Sequence, residues 1–215
     1  MPTSLPTSSR RRRPDLPTGL LAAALVCSAI GSLSGCVAVI AGAGVGGGLM
    51  LTDRRTTGTQ LEDQGIELKS GGRIRDVIGD RGHINVTSYN RIVLVTGEVP
   101  SDADKDAVGK AVGAIENVNS VVNELEVAGN SSLTSRTSDA TITTRVKAAF
   151  VDKKDMQANA IKVVTERGNV YLMGRVSERE ADRAAEVARD VGGVLKVVRV
   201  FEILSEDQLK ALTNR

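Results

Sequence analysis

The chain has 215 residues, enough for one or two domains, with a formal charge of +2, one histidine, two cysteines and no tryptophan. Residues 1–35 hold four Arg and one Asp, so the remainder is close to −1 and the basic balance belongs to the N-terminal end. The charge therefore gives no argument for a nucleic-acid partner, and none is expected.

The first stretch reads as a leader. Residues 1–19 are polar and contain Arg10, Arg11, Arg12 and Arg13, and residues 20–30 are apolar. A basic start, a short apolar centre and a small-residue exit are the parts of a secretory signal. The centre is too short to span a bilayer, which takes about 20 residues. Leu33, Ser34, Gly35 and Cys36 match the bacterial lipobox. The Cys36 thiolate is the nucleophile that takes up a diacylglyceryl group, and by this resemblance Cys36 becomes the acylated mature N-terminus. Ordinary signal cleavage beside a chance cysteine, or an uncleaved anchor, is the alternative. Two or more acyl chains give stable anchoring where one does not. Val37 follows where inner-membrane lipoproteins often carry Asp, which favours the outer membrane. Cys27 leaves with the leader, so no thiol remains for a disulfide, a metal cluster or a catalytic nucleophile.

Residues 36–60 read as the lipidated end and a tether. Gly42, Gly44, Gly46, Gly47 and Gly48 oppose helix and favour a flexible spacer over a close-packing helix face. No phosphate loop is read there, since no Lys-Ser/Thr follows.

The remainder is a duplication. Ile84, Val86, Val93, Gly97 and Val99 match Ile161, Val163, Val170, Gly174 and Val176 at one offset. Asp63, Ile66 and Lys69 match Asp139, Ile142 and Arg145 one residue closer. The spacing predicts a first domain over 61–129, a linker over 130–137, a second domain over 138–206 and a tail over 207–215. Each copy reads αββαβ. In the second, Asp139 is expected to cap a helix with Ile142, Val146, Ala149 and Phe150 on one face. Alternation at Ile161, Val163 and Thr165, a turn at Arg167 and Gly168, and a return from Val170 predict a hairpin. Ser177 and Glu180 predict a capping box. Lys196 to Ile203 is a last strand. The expected fold class is α+β, a three-stranded sheet in each copy with both helices on one face. The first copy's opening helix contains Gly65, Gly71 and Gly72, each costing about 1 kcal/mol against Ala, and is expected to be shorter or more mobile than its counterpart.

The residues Val170, Leu172, Gly174 and Val176, then Ala184, Ala185 and Ala188, then Val194 and Val197, resemble the BON-domain family; Val93, Val95, Gly97 and Val99 repeat the hairpin mark. With the lipobox and the tether, nearly all of the mature chain resembles two-domain lipoproteins of that family. The resemblance implies an outer-membrane lipoprotein facing the periplasm. It also implies binding of anionic, phosphatidylglycerol-like phospholipid through the second domain, enrichment at division sites and a part in envelope integrity. It implies no catalytic residue and no cofactor, and assigns Gly97 and Gly174 to the fold.

Charge supports the lipid reading in part. Residues 61–127 carry a net of −5 and residues 138–204 a net of +2, so the second domain is the one suited to an anionic surface. With Ile142, Val146 and Phe150 inward, the outward side of the helix shows Thr141, Thr144, Lys147, Ala148 and Val151, with Arg145 at the boundary. Composition alone favours an ordinary solvated face there, and the resemblance reverses that preference. Thr141 stands where close relatives are expected to carry Trp, so a membrane-anchoring aromatic is missing.

An enzyme is not expected. His83 is matched by Ala160 in the second copy and has no evident Ser or Cys partner; it reads as structural, and no metal site is expected. The runs Asp102, Asp104, Asp106 and Glu178, Glu180, Asp182 read as helix starts. The alternative function is a periplasmic adaptor holding a protein or glycan, such as envelope assembly proteins or the cell wall, with the acidic first domain as the better candidate for that contact.

Overall fold

The computed structural model describes residues 53–213; the leader, Cys36 and most of the tether lie outside them. The first repeat runs α1 (Thr57–Ile78), β1 (His83–Tyr89), β2 (Ile92–Val99), α2 (Asp102–Gly113) and β3 (Ser120–Val127). The second runs α3 (Leu133–Asp152), a 3-10 turn (Ala158–Ala160), β4 (Ile161–Glu166), β5 (Asn169–Val176), α4 (Glu178–Arg189) and β6 (Lys196–Ile203). A last helix, α5 (Glu206–Thr213), occupies most of the stretch read as a tail.

Each sheet has three strands with the hairpin's second strand in the middle. β2 pairs antiparallel with β1 and parallel with β3, and β5 does the same with β4 and β6. A parallel pair needs a crossover, and α2 and α4 supply it. Strand alternation then separates two faces. Val93, Val95 and Val99 meet Ile66, Ile74 and Ile78 of α1 and Val108 and Val112 of α2. Val170, Leu172 and Val176 meet Ile142, Val146 and Phe150 of α3 and Ala184 and Ala188 of α4. Both helices of each repeat thus lie on one face of its sheet.

The opposite faces cover each other. Tyr89, Leu94, Tyr171, Met173 and Val200 form a third apolar cluster, with Ile92, Val122, Val164 and Val198 against it. The two sheets therefore pack face to face, and the domains share a core. Tyr89 and Tyr171 are both buried there, and burial first of all pushes both phenols well above their ordinary range.

Several sequence expectations need correction. α1 is 22 residues long, against 20 for α3, so it is not the shorter helix. A side chain at Gly65, Gly71 or Gly72 would meet nothing within 4 Å, so these glycines lie away from the packed face. They lower propensity, but the buried stripe of Ile66, Ile74 and Ile78 outweighs that loss. The stretch read as linker is also mostly helix: α3 starts at Leu133, with Ser132 as its cap accepting from the Ser135 N–H.

Asp139 is then an interior residue rather than a cap. Its carboxylate accepts from the backbone N–H groups of Arg167 and Gly168 at 2.9 and 2.8 Å. Asp63 does the same in the first repeat, accepting from Asn90 and Arg91, each at 2.8 Å, and from the Ser88 hydroxyl at 2.6 Å. Both hairpin turns need positive φ at two successive residues, Asn90 and Arg91 in one, Arg167 and Gly168 in the other. Three of those four are not glycine. The carboxylate beneath each turn offsets that strain by holding both N–H groups.

The end of the tether is also fixed. Arg54 makes a bidentate pair with Glu180, both contacts at 2.7 Å, and donates to the Arg175 carbonyl. Arg55 pairs with Asp63 at 2.8 Å and stacks 4.1 Å from the centre of the Tyr89 ring. These adjacent arginines strap one domain each, and helix follows from Thr57, so the flexible reading fails for residues 54–60.

The capping box of α4 is present: Ser177 and Glu180 exchange hydrogen bonds at 3.0 and 3.3 Å. Ser177→Ala is expected to lower stability by ~1 kcal/mol, read from the midpoint of urea unfolding.

Candidate membrane-facing site

The candidate site is the outer side of α3. Ile142, Val146 and Phe150 are buried at spacing i, i+4 and i+8, which fixes the rotation of the helix. Thr141, Thr144, Arg145, Lys147, Ala148 and Val151 are then all exposed. The geometry brings all six onto the outward side.

The side is less polar than its composition. The Thr141 and Thr144 hydroxyls donate to the carbonyls of Thr137 and Ala140, each at 2.9 Å. Their hydrogen bonds are made within the helix, so the threonines offer methyl groups outward. Thr137 does the same toward Leu133. Leu133, Thr137, Thr141, Thr144, Ala148 and Val151 recur at steps of three and four, which is one stripe about 27 Å long. Its two ends are apolar: Leu133 is 79% exposed and Val151 70%.

Basic groups border the stripe. Arg145 donates to the Gly192 carbonyl at a long 3.5 Å. Lys147 is exposed beside the stripe, and Lys153 and Lys154 follow the helix at its negative end. Among the described residues none of these four stands in an ion pair, while Arg167, Arg175, Arg183 and Arg199 of the same domain all do. Asp152, at the end of α3, is the one acidic residue exposed on the helix itself.

Leu133 and Thr137 escape the sequence reading because Asp139 looks like a cap. The available signal was Ser132 followed by a run without Gly or Pro. Cys36 lies outside the described residues. Gly97 and Gly174 sit far from α3's outer side, in the middle strands. A side chain at Gly97 would meet the His83 carbonyl at 2.0 Å, and one at Gly174 the Ala160 carbonyl at 2.6 Å. Among the described residues no helix is long and apolar enough to cross a membrane.

Two repeats of one αββαβ unit, with a V-x-L-x-G-x-V or closely similar middle strand, define the class of protein. The BON domain family matches residues 67–129 and 138–205, and the chain belongs to that family. It is 39% identical over 175 residues to the outer membrane lipoprotein DolP of Haemophilus influenzae, covering 80% of this chain and 90% of that one. It is 36% identical to the 21 kDa hemolysin of Actinobacillus pleuropneumoniae, over 69% of this chain and 78% of the other. It is 32% identical to the osmotically-inducible protein Y of Escherichia coli, over 53% and 58%. The chain is an envelope lipoprotein of the outer membrane.

Proposed function

We propose that the protein, anchored through an acylated Cys36, reads anionic phospholipid with the outer side of α3 and so supports envelope integrity, with enrichment at division sites. The observation that carries this reading is the methyl-rich stripe bordered by Arg145 and Lys147, cations that no carboxylate in the described residues neutralises. A weakly apolar surface rimmed by unpaired cations suits the headgroup layer of an anionic membrane. The first domain, at −5, is repelled by the same surface. No Trp anchors the helix, so attraction rests mainly on charge and falls as salt screens it.

The test is co-sedimentation of residues 51–215 with phosphatidylglycerol or phosphatidylcholine vesicles. Selective binding to phosphatidylglycerol is expected. Arg145→Glu with Lys147→Glu is expected to weaken it roughly tenfold or more, since each basic side chain near such a surface contributes ~1 kcal/mol. Equal binding to both vesicles, or binding untouched by the double reversal, overturns the reading. A fluorescent fusion tests the division-site part.

One observation favours the adaptor reading instead. Leu61 and Leu68 of α1 are 65% and 80% exposed on the acidic domain, a surface suited to a protein partner. Partner capture that survives salt and the α3 reversal but fails with Leu68→Asp would give that reading the lead.

A further inference from the structure

We propose that His83, Glu98 and Glu166 form a site for one divalent ion of the zinc class in the seam between the two domains. His83 opens β1 and faces Glu98 of β2 directly across the ladder. Glu166 comes from the end of β4, in the other domain. One ligand atom from each lies within 4.8 Å of the others.

These groups are not an exposed acidic patch. Glu98 is fully buried and Glu166 nearly so. The His83 Nδ1 is buried and makes no hydrogen bond, while lying 3.4 Å from Glu98 Oε2. A buried imidazole nitrogen without a hydrogen bond, beside a buried carboxylate, is unfavourable as it stands and favourable with a cation between them. Ligands ~2.0–2.2 Å from a common ion stand about 3.4 Å apart in a tetrahedron, so His83 and Glu98 are already placed and Glu166, within 4.8 Å, has to close by at most about 1.4 Å.

Charge points the same way. Arg167 Nη1 approaches Glu98 Oε1 only to 3.4 Å and shares its charge with Glu126. Outer partners are in place: Asn85 Nδ2 donates to Glu166 Oε2 at 2.8 Å, and the Ser131 N–H to Glu98 Oε2 at 3.1 Å. One imidazole and two carboxylates with a fourth position open suit zinc or its neighbours better than calcium or magnesium, which prefer oxygen alone.

The duplication supplies a comparison within the molecule. At the offset of the hairpins, His83, Glu98 and Glu166 correspond to Ala160, Arg175 and Tyr89. There the Tyr89 hydroxyl reaches toward the Ala160 carbonyl at 3.5 Å, and Arg175 pairs with Glu202. That end of the seam is closed by an aromatic ring and an ion pair. The other end departs from the repeat at all three places and holds a donor set. An ion there takes ligands from both domains and ties them together.

His83 is the chain's sole histidine, so its imidazole nitrogens are an unambiguous probe. The full chain, purified in detergent without a histidine tag and freed of metal by chelator, is titrated with Zn2+ and followed by 15N NMR of the imidazole. One Zn2+ per chain with a shifted Nδ1 signal is expected, with a higher Tm in the loaded protein. His83→Gln and Glu166→Gln are each expected to weaken binding about tenfold or more, with helix content unchanged by circular dichroism. An imidazole signal that Zn2+ leaves unmoved, or Zn2+ binding undiminished in both variants, overturns the proposal. A signal that moves with pH alone also overturns it, because the seam then takes a proton and not a metal.

Discussion

Asp63→Ala is expected to destabilise the first domain by about 3–5 kcal/mol, the range for stripping a buried charge of its partner. Four groups converge on that carboxylate: the Ser88 hydroxyl, the Asn90 and Arg91 N–H groups and the Arg55 guanidinium. Removing it leaves two turn N–H groups unpaired under residues that already hold positive φ. It also leaves Arg55, only 13% exposed at its side chain, with Asp53 alone. Asp63→Asn keeps an acceptor but loses the charge, and is expected to fall between the two. Urea unfolding of each variant reads the difference; a loss below ~1 kcal/mol for the alanine variant would mean that the turn holds itself.

The same residue sets a pH dependence. Burial alone would raise its pKa, but the hydrogen bonds from Ser88, Arg91, Arg55 and Asn90 outweigh burial and hold it below the ordinary carboxylate value. A carboxylate lowered in the folded state contributes stability above its unfolded pKa of about 3.9. That contribution is lost as pH falls through the lower, folded value. The wild type is therefore expected to lose stability below about pH 4 more steeply than Asp63→Asn does. Parallel pH profiles for the two proteins would contradict this.

Gly97→Ala is expected to cost about 3 kcal/mol or more, and Gly174→Ala clearly less. Gly97 has φ of +115°, where a side chain is strained in any surroundings, and its Cβ would fall 2.0 Å from the His83 carbonyl oxygen. Backbone strain of ~1–3 kcal/mol and overpacking of ~1–3 kcal/mol act together there. The obstacle is backbone in a paired strand and cannot turn aside. Gly174 meets the Ala160 carbonyl at 2.6 Å without a positive φ, so only the second cost applies. Thermal unfolding of both variants gives the order, and the reverse order would refute the assignment.

Much of this was legible in the residues. Periodicity of two and of 3.6 reports which side of an element meets an apolar neighbour. It therefore placed Ile142, Val146 and Phe150 inward and Thr141, Lys147, Ala148 and Val151 outward before any coordinates. The duplication was legible because each copy repeats the same inward set. Ser177 and Glu180 were legible because a capping box is local, closed within four residues.

What failed was of another kind. Asp63 and Asp139 were paired by the repeat, but a carboxylate near a helix start has the same local pattern whether it caps its own helix or holds a turn some 28 residues away. Gly65, Gly71 and Gly72 weaken a helix by intrinsic preference, and only the packing of Ile66, Ile74 and Ile78 against a sheet reverses that expectation. Leu94, Met173 and Tyr171 alternate correctly in their strands, yet alternation does not say what lies opposite.

The amino-acid sequence by itself determined two αββαβ units, their inward and outward faces, a lipobox at Cys36 and the basic residues Arg145 and Lys147 on the outward side of the second domain's opening helix. The tertiary structure alone decided that the free sheet faces cover each other. It also decided that Arg54 and Arg55 strap the two domains, and that His83, Glu98 and Glu166 meet across the seam. The reason is distance along the chain: propensity, period and capping act over a few residues, whereas Arg54 and Glu180 lie 126 positions apart and Glu166 comes from the other domain, and no short-range pattern encodes such contacts.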